Sequence, residues 1–345
     1  MRISEIRDQL VAAGARPRHV ALALRAWAQG QPLDALAGRA DCVFPAALRR
    51  RLPALQATVD RLARVQSEHG GEDGAVRWLL ALAGGQSVEG VLLPRDGVCV
   101  STQVGCAVGC VFCMTGREGL QRQLGSAEIV AQVALARARR PVRRVVFMGM
   151  GEPAHNMDNV LEAIELLGTE GGLGHKNLVF STVGDRRVFE RLPAGRVRPA
   201  LALSLHTTRA DLRAELLPRA PRIDPEELVA LGERYARATT YPIQYQWTLL
   251  SGVNDGDDEL ERIAAWLAGK YAVMNFIPWN EVPGLGYRRP SMERAAAMVR
   301  YLRRRGVLAK LRRSAGQDVE GGCGQLRARS LGAPADPARR RLQAP

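Results

Sequence analysis

The chain has 345 residues, enough to bury one large core and a small accessory domain. Its 49 Lys and Arg against 35 Asp and Glu leave a formal charge of +14, which favours an extended anionic partner such as RNA, although arginines on solvated helix faces account for part of it. No apolar run approaches the roughly 20 residues of a bilayer span, and MRISEIRDQL lacks the order of a secretory signal, so a cytoplasmic protein without membrane contact is expected, its six cysteines serving as metal ligands or redox thiols.

Residues 1–72 carry helical periodicity in Ile3, Ile6, Leu10 and Val11, then in Val20, Leu22, Leu24 and Trp27, predicting an N-terminal helical accessory domain. Cys42 within it reads as a packing residue. Arg16, Arg18, Arg49, Arg50 and Arg51 read either as RNA phosphate contacts or as a solvated helix face. The glycine-rich HGGEDG (69–74) leads into AVRWLLAL and VEGVLLP, a hairpin-like connector over 73–97.

From residue 98 short β-rich runs alternate with helical patterns. Six strands are expected, at 98–103, 143–150, 177–182, 199–206, 242–250 and 272–278, separated by segments such as SAEIVAQVALARARR and NMDNVLEAIELLG. Alternation of this kind predicts an α/β fold with a parallel sheet, a partial (β/α)6 barrel over 98–326 whose chemistry lies at the C-terminal ends of the strands. The Pro- and Arg-rich residues 327–345 read as a basic disordered tail adding nonspecific RNA affinity.

One motif dominates: Cys106, Cys110 and Cys113, a C-x3-C-x2-C directly after the first barrel strand. Three thiolates on a tight loop can hold three irons of a 4Fe-4S cube and leave the fourth open. Gly105 and Gly109 permit the sharp turn. A structural zinc site completed by Cys99 is the competing reading.

The spacing is characteristic of the radical S-adenosylmethionine (SAM) superfamily, and the chain resembles its RlmN/Cfr family of RNA (adenine) methyltransferases over nearly its whole length, from the helical segment through EDGAVRW (72–78) to EGGCGQL (320–326). The resemblance implies one 4Fe-4S cluster whose open iron chelates SAM, and SAM cleavage to a 5′-deoxyadenosyl radical. It implies that Gly151 and Glu152 hold the SAM amino group, and that Ser181, Ser204, Leu205, His206 and Asn275 line the SAM pocket. Phe112 reads as packing either on the cluster or within its loop.

Cys323 in GGCGQL matches the cysteine that the family methylates, and Cys99 the thiol that later forms a transient disulfide with it; read from the residues alone, Cys99 serves equally as a buried strand cysteine. Carbon 2 or carbon 8 of adenine is not nucleophilic, which is why the implied route uses two SAM molecules per turnover, one to methylate Cys323 and one as radical source. Glu89 matches the family's proton acceptor, the alternative being a surface strand carboxylate. The implied partners are rRNA or tRNA, with its base flipped out, and a flavodoxin-type reductant; the enzyme is expected to act as a monomer. STVGDRR, SLHTTRAD and LLPRAPR depart from common family segments, which bears on the RNA target and the carbon modified.

Overall fold

The computed structural model describes residues 1–38, 44–282 and 284–328; Cys42 and residues 329–345 of the expected tail lie outside the described residues. Helices α1 (Ile3–Ala12), α2 (Pro17–Ala28) and α3 (Ala46–Leu62) open the chain. Each buries an apolar stripe: Ile3, Ile6 and Leu10 on α1, Val20, Leu24 and Trp27 on α2, and Leu48, Leu52 and Leu55 on α3. Pro17 occupies the first turn of α2, where an N–H has no helical partner to lose. Arg49, Arg50 and Arg51 lie on the exposed side of α3.

The helical segment stops at Leu62, short of the expected residue 72. Ala63–Gly70 is instead strand β1, antiparallel to β2 (Val76–Leu82), which pairs with β3 (Ser87–Leu93). ARVQSEHG has no apolar stripe at helical spacing, and the partner strand satisfies its backbone. The expected hairpin is thus part of a three-stranded meander. It does not act as a linker, because β3 pairs antiparallel with β4 (Gly97–Cys99) and so extends the main sheet.

The run 98–103, expected as one strand, is split. After β4 the chain leaves the sheet near Ser101, whose Oγ donates to the Glu89 carbonyl, and Gln103–Gly105 forms β5, paired with β6 (Leu120–Gln123) in a separate two-stranded ladder. Gly105, at φ +75°, makes the turn into the cysteine loop that this ladder brackets.

The barrel then proceeds through α4 (Ser126–Arg137), β7 (Arg144–Phe147), α5 (Met157–Gly168), β8 (Leu178–Thr182), α6 (Arg186–Ala194), β9 (Ala200–Ser204), α7 (Ala210–Leu216), α8 (Pro225–Thr239), β10 (Ile243–Leu249), α9 (Asp257–Leu267), β11 (Ala272–Pro278), α10 (Met292–Arg304) and β12 (Ala309–Leu311). The main sheet runs β1-β2-β3-β4-β7-β8-β9-β10-β11-β12, parallel from β4 onward. The fold is therefore α/β with an open barrel, as the alternation predicts, and β12 adds one strand to the six expected.

Helix α4 buries ten of its twelve residues, because one side packs on the sheet and α2 and α3 cover the other. The N-terminal helices thus share one hydrophobic core with the barrel. Arg137 reinforces this by donating to the Ala28 and Gly171 carbonyls, each at 2.8 Å. No helix among the described residues is long and apolar enough to cross a membrane.

Candidate active site

Residues paired across a ladder, and residues two apart on a strand, point to the same side of a sheet. In β2 to β4, Arg77 pairs with Val91, Leu79 with Glu89, and Val91 with Cys99, so Arg77, Glu89 and Cys99 share a face. Cys99 pairs onward with Val146 and Val146 with Val179, which brings Ser181 to that face. Ser181 pairs with Ala202, while Ser204, Gln246 and Asn275 form one row two residues further along. The neighbouring residues point outward: the Tyr245 hydroxyl donates to the Val229 carbonyl on α8. The strands therefore gather a polar set on the concave side at their C-terminal ends.

The cysteine loop closes one side of this face. Cys106 and Cys99 are buried, Cys110 and Cys113 half-buried, and all five described cysteines are free thiols. Burial pushes the Cys106 thiol up to about 12, with the charges of Glu152 and Cys113 adding to it; burial likewise raises Cys110 well above the ordinary thiol range, followed by its neighbours Cys113 and Cys106. Cys113 is also raised, chiefly by burial. Opposing this, backbone N–H groups of Val108 and Gly109 reach the Cys106 sulfur, and those of Thr115 and Gly116 reach Cys113. Three mutually repelling sulfurs supplied with N–H donors suit an iron-sulfur cluster, whose irons compensate the thiolate charge and whose sulfurs such donors stabilise. Among the described residues, no three His, Cys, Asp or Glu side chains converge as a single-ion site requires.

Neighbouring elements fasten the loop. Val111 N donates to the Leu216 carbonyl at 3.1 Å and Arg219 N to the Val108 carbonyl at 3.2 Å, while Trp279 Nε1 donates to the Phe112 carbonyl at 3.0 Å. Phe112 meets His206 edge-on, ring centroids 4.9 Å apart. His206, at φ +64°, accepts from Thr248 N at 3.0 Å, and burial lowers its pKa to about 3, so it is a neutral prop for the loop. Leu205 points into the main core and can offer only backbone groups.

Glu152 lies in the turn beyond β7, 4% exposed, accepting from Ala154 N and Val183 N at 3.2 and 3.0 Å. Gly151 cannot carry a side chain, since a Cβ would lie 2.6 Å from Gln103 at φ +104°. Burial raises the Glu152 carboxyl to about 7, against hydrogen bonds from Thr182, Val183 and Ala154 that lower it. A buried carboxylate of this kind gains most from a ligand ammonium. With the folded pKa above its ordinary 4.5, the neutral acid's stabilising contribution is full below pH 4.5 and lost as pH rises to about 7, on the order of 3 kcal/mol. The ligand-free protein should therefore lose stability relative to Glu152→Gln between pH 4.5 and 7 in parallel denaturant titrations; equal pH profiles would contradict this account of Glu152.

Cys323 is exposed between the buried Gly321 and Gly322 on one side and Gln325 and Leu326 on the other. Its carbonyl accepts from Asn280 Nδ2 at 2.8 Å, and the Gly324 carbonyl from Met114 N at 2.8 Å, next to Cys113. Both Cys99 and Cys113 lie within electrostatic reach of Cys323: Cys99 is raised first by burial and then by Cys323, and Cys113 also feels Cys323. Glu89 is 0% exposed, ion-paired with buried Arg77, and accepts from Arg327 N at 2.8 Å. It is not the surface carboxylate that its strand pattern allowed.

Several site residues carry no motif of their own. Arg213, 4% exposed, donates to the Val183 and Ser204 carbonyls and so ties β8 to β9; burial lowers it to about 10, against the favourable charges of Cys110 and Glu152. Gln246 joins the Ser204–Asn275 row, and Asn280 and Trp279 hold the two cysteine-bearing loops. The only sequence signal for Asn280 and Trp279 is a position just beyond a strand end. Of the departing segments, SLHTTRAD places Thr207 and Thr208 on buried Glu259, and LLPRAPR lays the exposed Arg219 against Gly109.

The family model of the radical SAM superfamily matches residues 100–267. A probable RNA methyltransferase of Aromatoleum aromaticum is 72% identical, covering 98% of this chain and 97% of its own. Another from Methylibium petroleiphilum is 72% identical over 96% and 94%. The crystal structure of a radical SAM methyltransferase from Sphaerobacter thermophilus superposes with a TM-score of 0.82 at 34% identity, covering 95% of this chain and 98% of that one.

Proposed function

We propose that this chain, which belongs to the radical SAM superfamily and within it to a methyltransferase family, is an RNA (adenine) methyltransferase of the RlmN/Cfr type, modifying carbon 2 rather than carbon 8 in rRNA or tRNA. The observation that carries this reading is the loop that brings Cys323 beside the cysteine loop, with the Gly324 carbonyl accepting from Met114 N next to Cys113. An exposed thiol on a loop fastened there has the position a methyl carrier needs. RNA as substrate is supported by the names of the relatives and the charge of +14.

When bound by Cys106, Cys110 and Cys113, a 4Fe-4S cluster supplies a coordination site for SAM and the electron that cleaves it. Glu152 holds the SAM ammonium, and Ser181, Ser204 and Asn275 offer polar contacts on the same face. The Cys323 thiolate would take a methyl group from one SAM by displacement; the radical derived from a second SAM would abstract a hydrogen atom from that S-methyl group, and the resulting carbon would bond to the adenine ring carbon, joining the RNA to Cys323. Glu89 receives the ring proton, from its place beside Arg77 on the face it shares with Cys99. Cys99 would then attack the Cys323 sulfur, forming a transient disulfide as the bond from that sulfur to the transferred carbon breaks; the carbon takes up a proton to complete the methyl group, and the one surplus electron of the adduct would pass back to the cluster. A flavodoxin-type reductant supplies electrons to a monomeric cytoplasmic enzyme, and Arg16, Arg18, Arg49, Arg50 and Arg51 are available to RNA phosphates.

Nucleoside mass spectrometry of rRNA and tRNA from cells with and without the gene tests this reading. A ring-methylated adenosine should vanish on deletion and return on complementation. Unchanged nucleosides in both RNA pools would overturn the assignment to RNA.

A further inference from the structure

We propose that the β1–β2 turn and the strand after it, the EDGAVRW segment, form a clasp that positions the Cys323 loop, with Asp73, Asp318 and Arg77 as positioning residues. The proposal rests on the reading of Cys323 as methyl carrier, but the geometry of the clasp is independent of it.

The turn and the loop grip each other reciprocally. Asp73 Oδ2 accepts from Gly316 N at 2.9 Å, and Asp318 Oδ2 accepts from Glu72 N at 2.9 Å. Asp73 Oδ1 meanwhile accepts from Ala75 N at 2.9 Å, so one carboxylate both shapes the turn and holds the loop. The turn is tight: Gly74 is at φ +80°, and a Cβ at Gly71 would lie 2.9 Å from Asp318 Oδ1.

A second anchor follows on the sheet. Arg77 and Glu89 pair across β2 and β3 with almost no exposure, and the second oxygen of the Glu89 carboxylate accepts from Arg327 N. A Cβ at Gly321 would touch Arg77 Cβ at 3.5 Å, which places the loop directly over the pair. The loop is therefore held on the sheet side at residues 316, 318 and 327, flanking Cys323. On the other side it meets the cluster loop, where Thr115 Oγ1 donates to the Leu326 carbonyl at 2.7 Å.

Holding is needed because the loop backbone is otherwise unfavourable. Gly316, Glu320, Gly324 and Ala328 all have positive φ, and two of them carry side chains. A carrier thiol must also meet two reactants in turn. A loop fixed at its ends and open at Cys323 gives the sulfur a limited arc.

The test uses the full-length, cluster-loaded protein and amide hydrogen exchange of the Cys323 loop. Asp73→Asn leaves one carbonyl oxygen to accept from two facing N–H groups, those of Ala75 and Gly316, and Asp318→Ala removes the acceptor of Glu72 N altogether. Loss of one charge-assisted bond should quicken exchange at 316–326 about tenfold and leave β8 and β9 as in the wild type. RNA methylation should fall by a similar factor, with the cluster absorbance and its response to SAM unchanged. Exchange at wild-type rates in both variants would overturn the clasp. Quickened exchange with RNA methylation undiminished would remove its positioning role. Since exchange reads the free protein, it answers even if RNA is not the substrate.

Discussion

Replacing Cys323 with alanine should abolish RNA methylation while leaving the rest of the site in working order. The side chain is exposed, and the hydrogen bonds of its loop run through its carbonyl, Gly324, Leu326 and Arg327, so alanine removes the sulfur and little else. Stability should change by less than about 0.5 kcal/mol, as at other exposed positions. Product formation should drop on the order of a thousandfold or more, the loss typical of removing a covalent nucleophile. SAM cleavage to 5′-deoxyadenosine under reducing conditions should persist, because neither the cluster loop nor Glu152 is touched. Chromatography of SAM products beside nucleoside analysis checks both halves. Methylation at an unreduced rate would show that the carrier lies elsewhere.

The second large effect is expected for Cys110→Ala. Three cysteines are the minimum that leaves one iron free, and losing one removes a corner for which no thiol substitutes. Cys323 is nearby but held by its carbonyl to Asn280 and by Gly324 to Met114. The visible absorbance of anaerobically reconstituted protein should disappear, and methylation and SAM cleavage with it. The fold should survive, since Val111 N to Leu216 O and Trp279 Nε1 to Phe112 O hold the loop without the thiol. Retention of a full cluster in this variant would assign its ligands to other residues.

Much of this site is legible in the amino-acid sequence because its signals are local. The cysteine triplet lies within eight residues, and each SAM-pocket candidate sits where a β-rich run stops. What the sequence conceals depends on distant pairing. The bonds that seat the Cys323 loop join residues separated by 246, 243 and 238 positions, and no local periodicity reports them. Glu89 can be read as a surface carboxylate because β3 is an alternating-looking strand, yet both its faces are covered. The break after Cys99 is equally hidden, since VCVSTQVG has continuous strand propensity and only the close approach of Gly149 to Ser101 and the turn at Gly105 divide it. β1 forms because β2 offers it a partner, an instance of tertiary context overriding a weak local preference.

The chemistry stands on the loop of Cys106, Cys110 and Cys113 holding a cluster that SAM binds next to Glu152. Electron paramagnetic resonance of the anaerobically reconstituted, dithionite-reduced protein, recorded before and after SAM addition, addresses that directly. The expected result is a reduced 4Fe-4S signal whose g-values move when SAM is added and move less in Glu152→Gln. A protein that assembles no such cluster, or one whose signal SAM leaves unaltered, would contradict it.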